Sequence, residues 1–185
     1  FLAFAFFAPS LFYGLSGNLK VFQEWVSSLS HSTPGLLATQ DNISIIAFFV
    51  KWTGNVRISF ICSTSLTFLL ALSFLFLIWK GREISRSLLL ESSILLILIP
   101  LISPLGWDYT LLSSVLGVVI VLKNFFRYSK FWRLVLIANF SIISLSLYDL
   151  LGKSLYATFM SASVITVNFL IIIAYLAFLR MKAYC

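Results

Sequence analysis

The stretch Arg57-Ile58-Ser59-Phe60-Ile61-Cys62-Ser63-Thr64-Ser65-Leu66-Thr67-Phe68-Leu69-Leu70-Ala71-Leu72-Ser73-Phe74-Leu75-Phe76-Leu77-Ile78-Trp79 decides the fold class. Its interior holds no polar residue except Ser and Thr. A helical pass needs roughly 20 apolar residues to cross the hydrocarbon core of a bilayer, and this run meets that length. Working outward, further apolar runs cover residues 1–17, 86–105, 108–122, 134–150 and 157–179. They predict an all-α polytopic membrane bundle with about six transmembrane passes. The pair 86–105 and 108–122 is separated by Ser103-Pro104-Leu105-Gly106-Trp107. Pro104 removes a backbone donor and Gly106 loosens the chain, so a turn is expected there. The 108–122 run is the shortest of the set.

Composition agrees with this reading. Of 185 residues, 61% are hydrophobic and only 10% charged, against about 45–50% and about 25% in soluble domains. Mean hydropathy is +1.04. These values exclude a soluble globular domain, a disordered chain and a peripheral protein. Phe1 stands inside an apolar run, without a Met or a signal-peptide n-region. The chain is therefore expected to be the C-terminal part of a longer membrane protein, read as one domain over 1–185. Cys62 and Cys185 have no motif partners, so neither a disulfide frame nor a metal site is indicated.

Charge sets the expected orientation. The net charge is +7, from 13 Lys and Arg against 6 Asp and Glu. Lys80, Arg82, Arg86, Lys123, Arg127, Lys130, Arg133, Arg180 and Lys182 fall on one side of the passes. Lys20, Lys51, Arg57 and Lys153 fall on the other. The positive-inside rule puts the larger group and the C-terminus in the cytoplasm. Dispersed as they are, these cations do not indicate a nucleic-acid partner. Segment 18–56 and the 103–109 turn then share the extracytoplasmic face.

Segment 18–56 is more than a linker. Val21, Phe22, Trp25, Val26 and Leu29 recur at helical spacing after Asn18, a candidate cap. They predict an amphipathic interfacial helix over 18–30, anchored by Trp25. Residues 31–42 read as turns. Residues 43–52 are apolar but too short to span, and predict a re-entrant or interfacial helix. Such an excursion points to a cavity open to the outer leaflet.

Few residues are equipped for chemistry. Asp41 and Asp108 lie among other polar groups, either as helix caps or in a substrate site. Lys51 and Arg57 either anchor helix ends at the headgroups or hold a lipid-linked phosphate. Glu91, just inside a pass, is expected to reach Arg82 or Arg86. Asp149 is expected at a helix end. His31 has no second ligand at metal spacing, so no metal and no cofactor are expected.

Three ordered stretches carry a family likeness. They are Pro9-Ser10-Leu11-Phe12-Tyr13-Gly14 followed by Trp25, then Asn42-Ile43-Ser44 followed by Lys51, then Ser103-Pro104-Leu105-Gly106-Trp107-Asp108-Tyr109. Together they resemble the C-terminal half of glycosyltransferase family 87, the polyprenyl-phosphate-mannose-dependent mannosyltransferases of GT-C fold. Ile43 stands where that family has Gln and Lys51 where it has Arg. Gly106 replaces a Ser, and Tyr109-Thr110 replace a His pair.

The resemblance implies a hexosyltransferase of the plasma membrane. It would move a hexose, mannose in that family, from a polyprenyl-phosphate donor to a lipid or glycan acceptor at the extracytoplasmic face. It implies Asn42, Ser44, Lys51 and Arg57 on the donor-phosphate side. Trp25, Ser103, Trp107, Asp108 and Tyr109 would lie at the sugar or acceptor pocket. The family's general base is an Asp in a first extracytoplasmic loop, expected upstream of this chain. The competing reading is a transporter or flippase fragment for a lipid-linked or anionic substrate.

Overall fold

The computed structural model describes residues 7–80 and 87–182. Arg82, Glu83, Arg86 and Cys185 lie outside the described residues, as does the side chain of His31. The described residues are helical and contain no strand. The chain divides into two compact units, Phe1–Leu36 and Leu37–Cys185.

The first unit carries α1, Ser10–Leu36. Its one interruption is Gly14, at φ 66° and ψ 168°, a backbone region that is essentially glycine-only. Two expectations are corrected here. Asn18 does not begin a new helix. It sits inside α1, and its amide donates to Ser10 Oγ across the Gly14 break at 3.0 Å. The turn expected from residue 31 is also absent, because α1 runs on to Leu36 through Pro34. A missing N–H forfeits one helical bond, and in a last turn no further turn depends on it. Phe22 and Trp25 lie one turn apart with ring centroids 5.8 Å apart. Lys20 and Glu24 form a weak i,i+4 ion pair at 3.9 Å.

The second unit begins with α2, Ile45–Thr53. Ser44 caps its start by accepting from the Ala47 N–H at 3.2 Å. Gly54, at φ 64°, ends it by donating to Val50 O. This is the short helix that the 43–52 run predicts. The long run then forms α3, Val56–Lys80. Asn55 Oδ1 caps α3 by accepting from the Arg57 and Ile58 N–H groups at 3.0 and 3.2 Å.

The rest of the unit is α4 (Ser87–Ile102), a 3-10 helix (Asp108–Ser114), α5 (Val115–Lys123), a single 3-10 turn (Phe125–Arg127), α6 (Lys130–Leu145), α7 (Tyr148–Ser161) and α8 (Val164–Lys182). The 108–122 run is therefore not one continuous α-helix. It winds as 3-10 and then as nine α-helical residues. Likewise the 134–150 run ends early. Helices α6 and α7 meet at a 101° bend, and α7 is broken again at Gly152, φ 70°.

Among the described residues two helices, α3 and α8, are long and apolar enough to cross a membrane, or three spans result if the bent α6–α7 pair is one. The two are used differently. Only 11% of the α3 window is buried, against 50% for α8. Helix α8 is the hub, packing on α3, α4, α5, α6 and α7. Its Ile172 and Leu176 meet Ile97 and Leu101 of α4 and Leu136 of α6 in the core. Gly117 of α5 permits the closest approach. A Cβ there would stand 2.9 Å from Ile97 and 3.1 Å from Leu176. Small residues serve this purpose where helices pack inside membranes. Glu91 of α4 pairs with Arg180 of α8, Nη2 to Oε1 at 2.6 Å and Nε to the same oxygen at 3.1 Å. Its partner is thus found on the last helix, and Arg180 is fully buried.

Candidate functional site

Two loops far apart in sequence meet in the second unit. Asn42 and Trp107 form an isolated antiparallel bridge. The Ile43 N–H donates to Gly106 O at 2.7 Å. Asn42 supplies the rest of the joint. Its Oδ1 accepts from the Ser44 N–H at 3.0 Å and the Gly106 N–H at 3.2 Å. Its Nδ2 donates to Pro104 O at 3.0 Å, which also accepts from Ser44 Oγ at 3.2 Å. Asn42 and Ser44 are buried, at 1% and 0% exposed. Both spend their polar atoms holding the loops together. Gly106 is dictated by the close approach, since a Cβ there would lie 2.3 Å from Pro100 O.

Lys51 reaches back from the last turn of α2. Its ammonium donates to Gln40 O and Asn42 O at 2.8 Å each, and to Met160 O at 3.0 Å. An ammonium has three donors, so the three carbonyls engage all of them. Burial lowers its pKa from 10.5 to about 8, opposed by the charge of Asp41. Trp52 Nε1 donates to Ala162 O at 3.1 Å, and Thr166 Oγ1 to Ile43 O at 2.8 Å. Helix α2 is thereby tied both to the 103–107 loop and to the corner between α7 and α8. Ser163 at that corner adopts φ 54°, uncommon for a residue with a Cβ.

Beside this joint the 3-10 helix opens a cleft of about 290 Å³. Asp108, Tyr109, Ser146 and Tyr156 bring polar groups to it, over an apolar floor that includes Ile143 and Phe169. Asp108 and Tyr109 are exposed, and Asp108 Oδ1 accepts from the Tyr109 N–H at 2.8 Å. The rings of Trp107 and Tyr109 are nearly parallel, 8° apart, with centroids at 6.5 Å. Tyr156 is within electrostatic reach of both Asp108 and Asp41. A carboxylate, phenols, a hydroxyl and aromatic faces are groups that hold a polyol by hydrogen bonds and ring contact.

The sequence-predicted residues divide accordingly. Asn42, Ser44, Lys51, Trp107, Asp108 and Tyr109 come together around the joint and the cleft. Ser103 is half-buried and donates locally to Leu105 O at 3.3 Å. Arg57 is exposed in the first turn of α3. Trp25 is exposed on α1 in the first unit. Tyr156 and Ser146 were not singled out in the sequence. They sit in apolar stretches with no pattern around them, and only the bend between α6 and α7 turns them to the cleft. Among the described residues no cluster of His, Cys, Asp and Glu is suited to a metal ion.

Compared with known proteins, the chain matches no family model, no curated protein and no solved structure.

Proposed function

We propose that this chain carries the donor and sugar-binding part of a membrane hexosyltransferase resembling glycosyltransferase family 87. In this reading it folds as a GT-C-like bundle of about six passes, with its C-terminus in the cytoplasm and the cleft on the extracytoplasmic face. The donor is a polyprenyl-phosphate hexose and the acceptor a lipid or glycan hydroxyl. What supports the reading is one juxtaposition. Two of the three stretches that carry the family likeness, 42–51 and 103–109, are hydrogen-bonded to each other through Asn42, which donates to Pro104 O across 62 residues of sequence. The cleft beside them has the polar and aromatic lining a sugar needs.

The chemistry is an inverting displacement. A general base, not assigned to this chain, takes the acceptor hydroxyl proton. The acceptor oxygen bonds to the anomeric carbon as the bond from that carbon to the phosphate oxygen breaks. The electron pair leaves with the polyprenyl phosphate. Cations and hydrogen-bond donors stabilise the charge developing there. Arg57 is the exposed cation of the set. Lys51 would join it by exchanging a carbonyl for a phosphate oxygen. Asp108, Tyr109 and Trp107 orient the sugar.

The test is hexose transfer from a mannosyl polyprenyl phosphate in membranes holding the full-length protein. Asp108→Asn and Lys51→Ala are each expected to cut transfer at least about tenfold, the scale of losing one charge-stabilising group. Absence of transfer from the folded wild-type protein, or unchanged transfer in both variants, overturns the reading.

A further inference from the structure

A second concavity lies away from the cleft, between α6 and α8. It has a volume of about 480 Å³ and is walled by Tyr128, Trp132, Val135, Ala174, Tyr175 and Phe178 among others. The walls are almost wholly apolar. The Tyr175 hydroxyl is used, donating to Trp132 O at 2.5 Å. The Tyr128 hydroxyl is not. Tyr128 is 2% exposed, and its buried oxygen has no hydrogen-bond partner among the described residues. A buried hydroxyl left unpaired costs about 1–3 kcal/mol, so a ligand that pairs with it is favoured.

Charge marks one end of this groove. Lys182 holds its ammonium 4.9 Å from the centroid of Phe178, a groove wall. Arg127 adjoins Tyr128 and is within electrostatic reach of its hydroxyl. Both cations are exposed, and neither has an ion pair among the described residues. Lys130 is exposed nearby in the chain. Arg133 is committed instead to the loop, donating to Tyr128 O at 2.8 Å. The groove runs along α8, one of the two helices fit to cross a membrane.

An apolar slot on a membrane helix, ending in cations, fits one class of molecule. We infer that the groove holds an acyl chain of an anionic phospholipid. The headgroup phosphate lies against Lys182 and Arg127, and the Tyr128 hydroxyl donates to an ester oxygen. The volume suits one chain. An engineered cavity of roughly 150 Å³ holds benzene, so this one takes a chain on the order of a dozen carbons or more. An extended peptide is disfavoured, because the walls offer no partners for its amides. The positive-inside reading places this end at the cytoplasmic leaflet, where anionic lipids concentrate. The inference does not depend on the transferase reading.

The test uses the full chain in phosphatidylcholine vesicles, with brominated lipid quenching the fluorescence of Trp132. The Trp132→Phe variant supplies the background of the other tryptophans. Brominated phosphatidylglycerol is expected to quench Trp132 at lower mole fraction than brominated phosphatidylcholine, by about fivefold per engaged cation. Lys182→Gln with Arg127→Gln should bring the two lipids level. These exposed positions leave the fold intact, which circular dichroism checks. Ala174→Phe should fill the slot and remove the preference. Equal quenching by both lipids in the wild-type chain overturns the inference. So does Trp132 out of reach of either lipid, as when another segment or a second copy covers the groove. A preference that survives Ala174→Phe in a folded chain also overturns it, since the cations would then bind at the surface alone.

Discussion

The side-chain oxygen of Asn42 accepts a hydrogen bond from the backbone N–H of Gly106 at 3.2 Å, joining positions 64 residues apart. Gly106 is there because nothing larger fits. Gly106→Ala would put a methyl group 2.3 Å from Pro100 O and 3.3 Å from Ser44 N. Both contacts are backbone, so neither can swing aside. The variant is expected to lose about 1–3 kcal/mol, the usual cost of overpacking, or to part the two loops. Thermal unfolding in detergent measures the first outcome. Cysteine cross-linking between the loops measures the second. An Ala variant as stable as the wild type would mean that the loops do not meet this closely.

Asn42 itself gives a sharper prediction, because it uses a donor and an acceptor at once. Asn42→Ala strands the Gly106 and Ser44 N–H groups, while Pro104 O keeps Ser44 Oγ, an expected loss of about 1–3 kcal/mol for each group left buried and unpaired. Asn42→Asp keeps the acceptor but turns an ionised oxygen toward Pro104 O. Protonation would restore a donor at that atom. The Asp variant should therefore be destabilised at neutral pH and recover as the pH falls into the carboxylate range. The Ala variant should show no such recovery. Melting curves of the two across pH separate a hydrogen-bonding role from mere filling of space.

These contacts show what the sequence could and could not reveal. Helix α3 was legible because its apolar run is uninterrupted, and α2 because the apolar run 43–52 is too short to span. The turn at Pro104 and Gly106 was legible from backbone chemistry alone. The path of α1 through Pro34 was not, because a proline late in a helix looks the same in sequence as one in a turn. The division of 108–122 into 3-10 and α windings was equally hidden, since hydropathy reports depth and not the hydrogen-bond pattern. For the candidate site, the stretches 42–51 and 103–109 could be picked out, but not that Asn42 and Ser44 spend themselves on the joint. Tyr156 enters the cleft through a 101° bend that leaves no mark on composition.

Glu91 has a partner that the sequence does not suggest: Arg180 reaches it from 89 residues away, while Arg82 and Arg86 lie outside the described residues. A buried pair of this kind is costly to break and cheap to replace. Arg180→Met leaves a mostly buried carboxylate without this partner, with an expected loss of up to about 3–5 kcal/mol. Combining it with Glu91→Met should recover most of that loss, because two apolar side chains need no pairing. A double-mutant cycle on unfolding in detergent tests the coupling. Additive single and double variants would show that the pair contributes nothing to holding α4 against α8.

Lys51 ties Gln40, Asn42 and Met160 together through a charge that burial disfavours. Its pKa is lowered to about 8, against 10.5 for an ordinary lysine. Between these values the unfolded chain binds more protons than the folded one. Linkage then makes stability rise with pH across that window. Below about pH 8 both states are protonated and this dependence vanishes. The neutral amine keeps only two donors, so one of the three carbonyls is released as the proton leaves. Two effects should accompany a rise from pH 8 to pH 10. The melting temperature of the wild-type protein should increase, relative to a Lys51→Met variant that has no proton to lose. Hydrogen exchange around Gln40 and Met160 should quicken at the same time, after correction for the intrinsic rate. If the lysine and methionine proteins show the same pH dependence, Lys51 titrates like an exposed lysine and the three-carbonyl clasp is not formed.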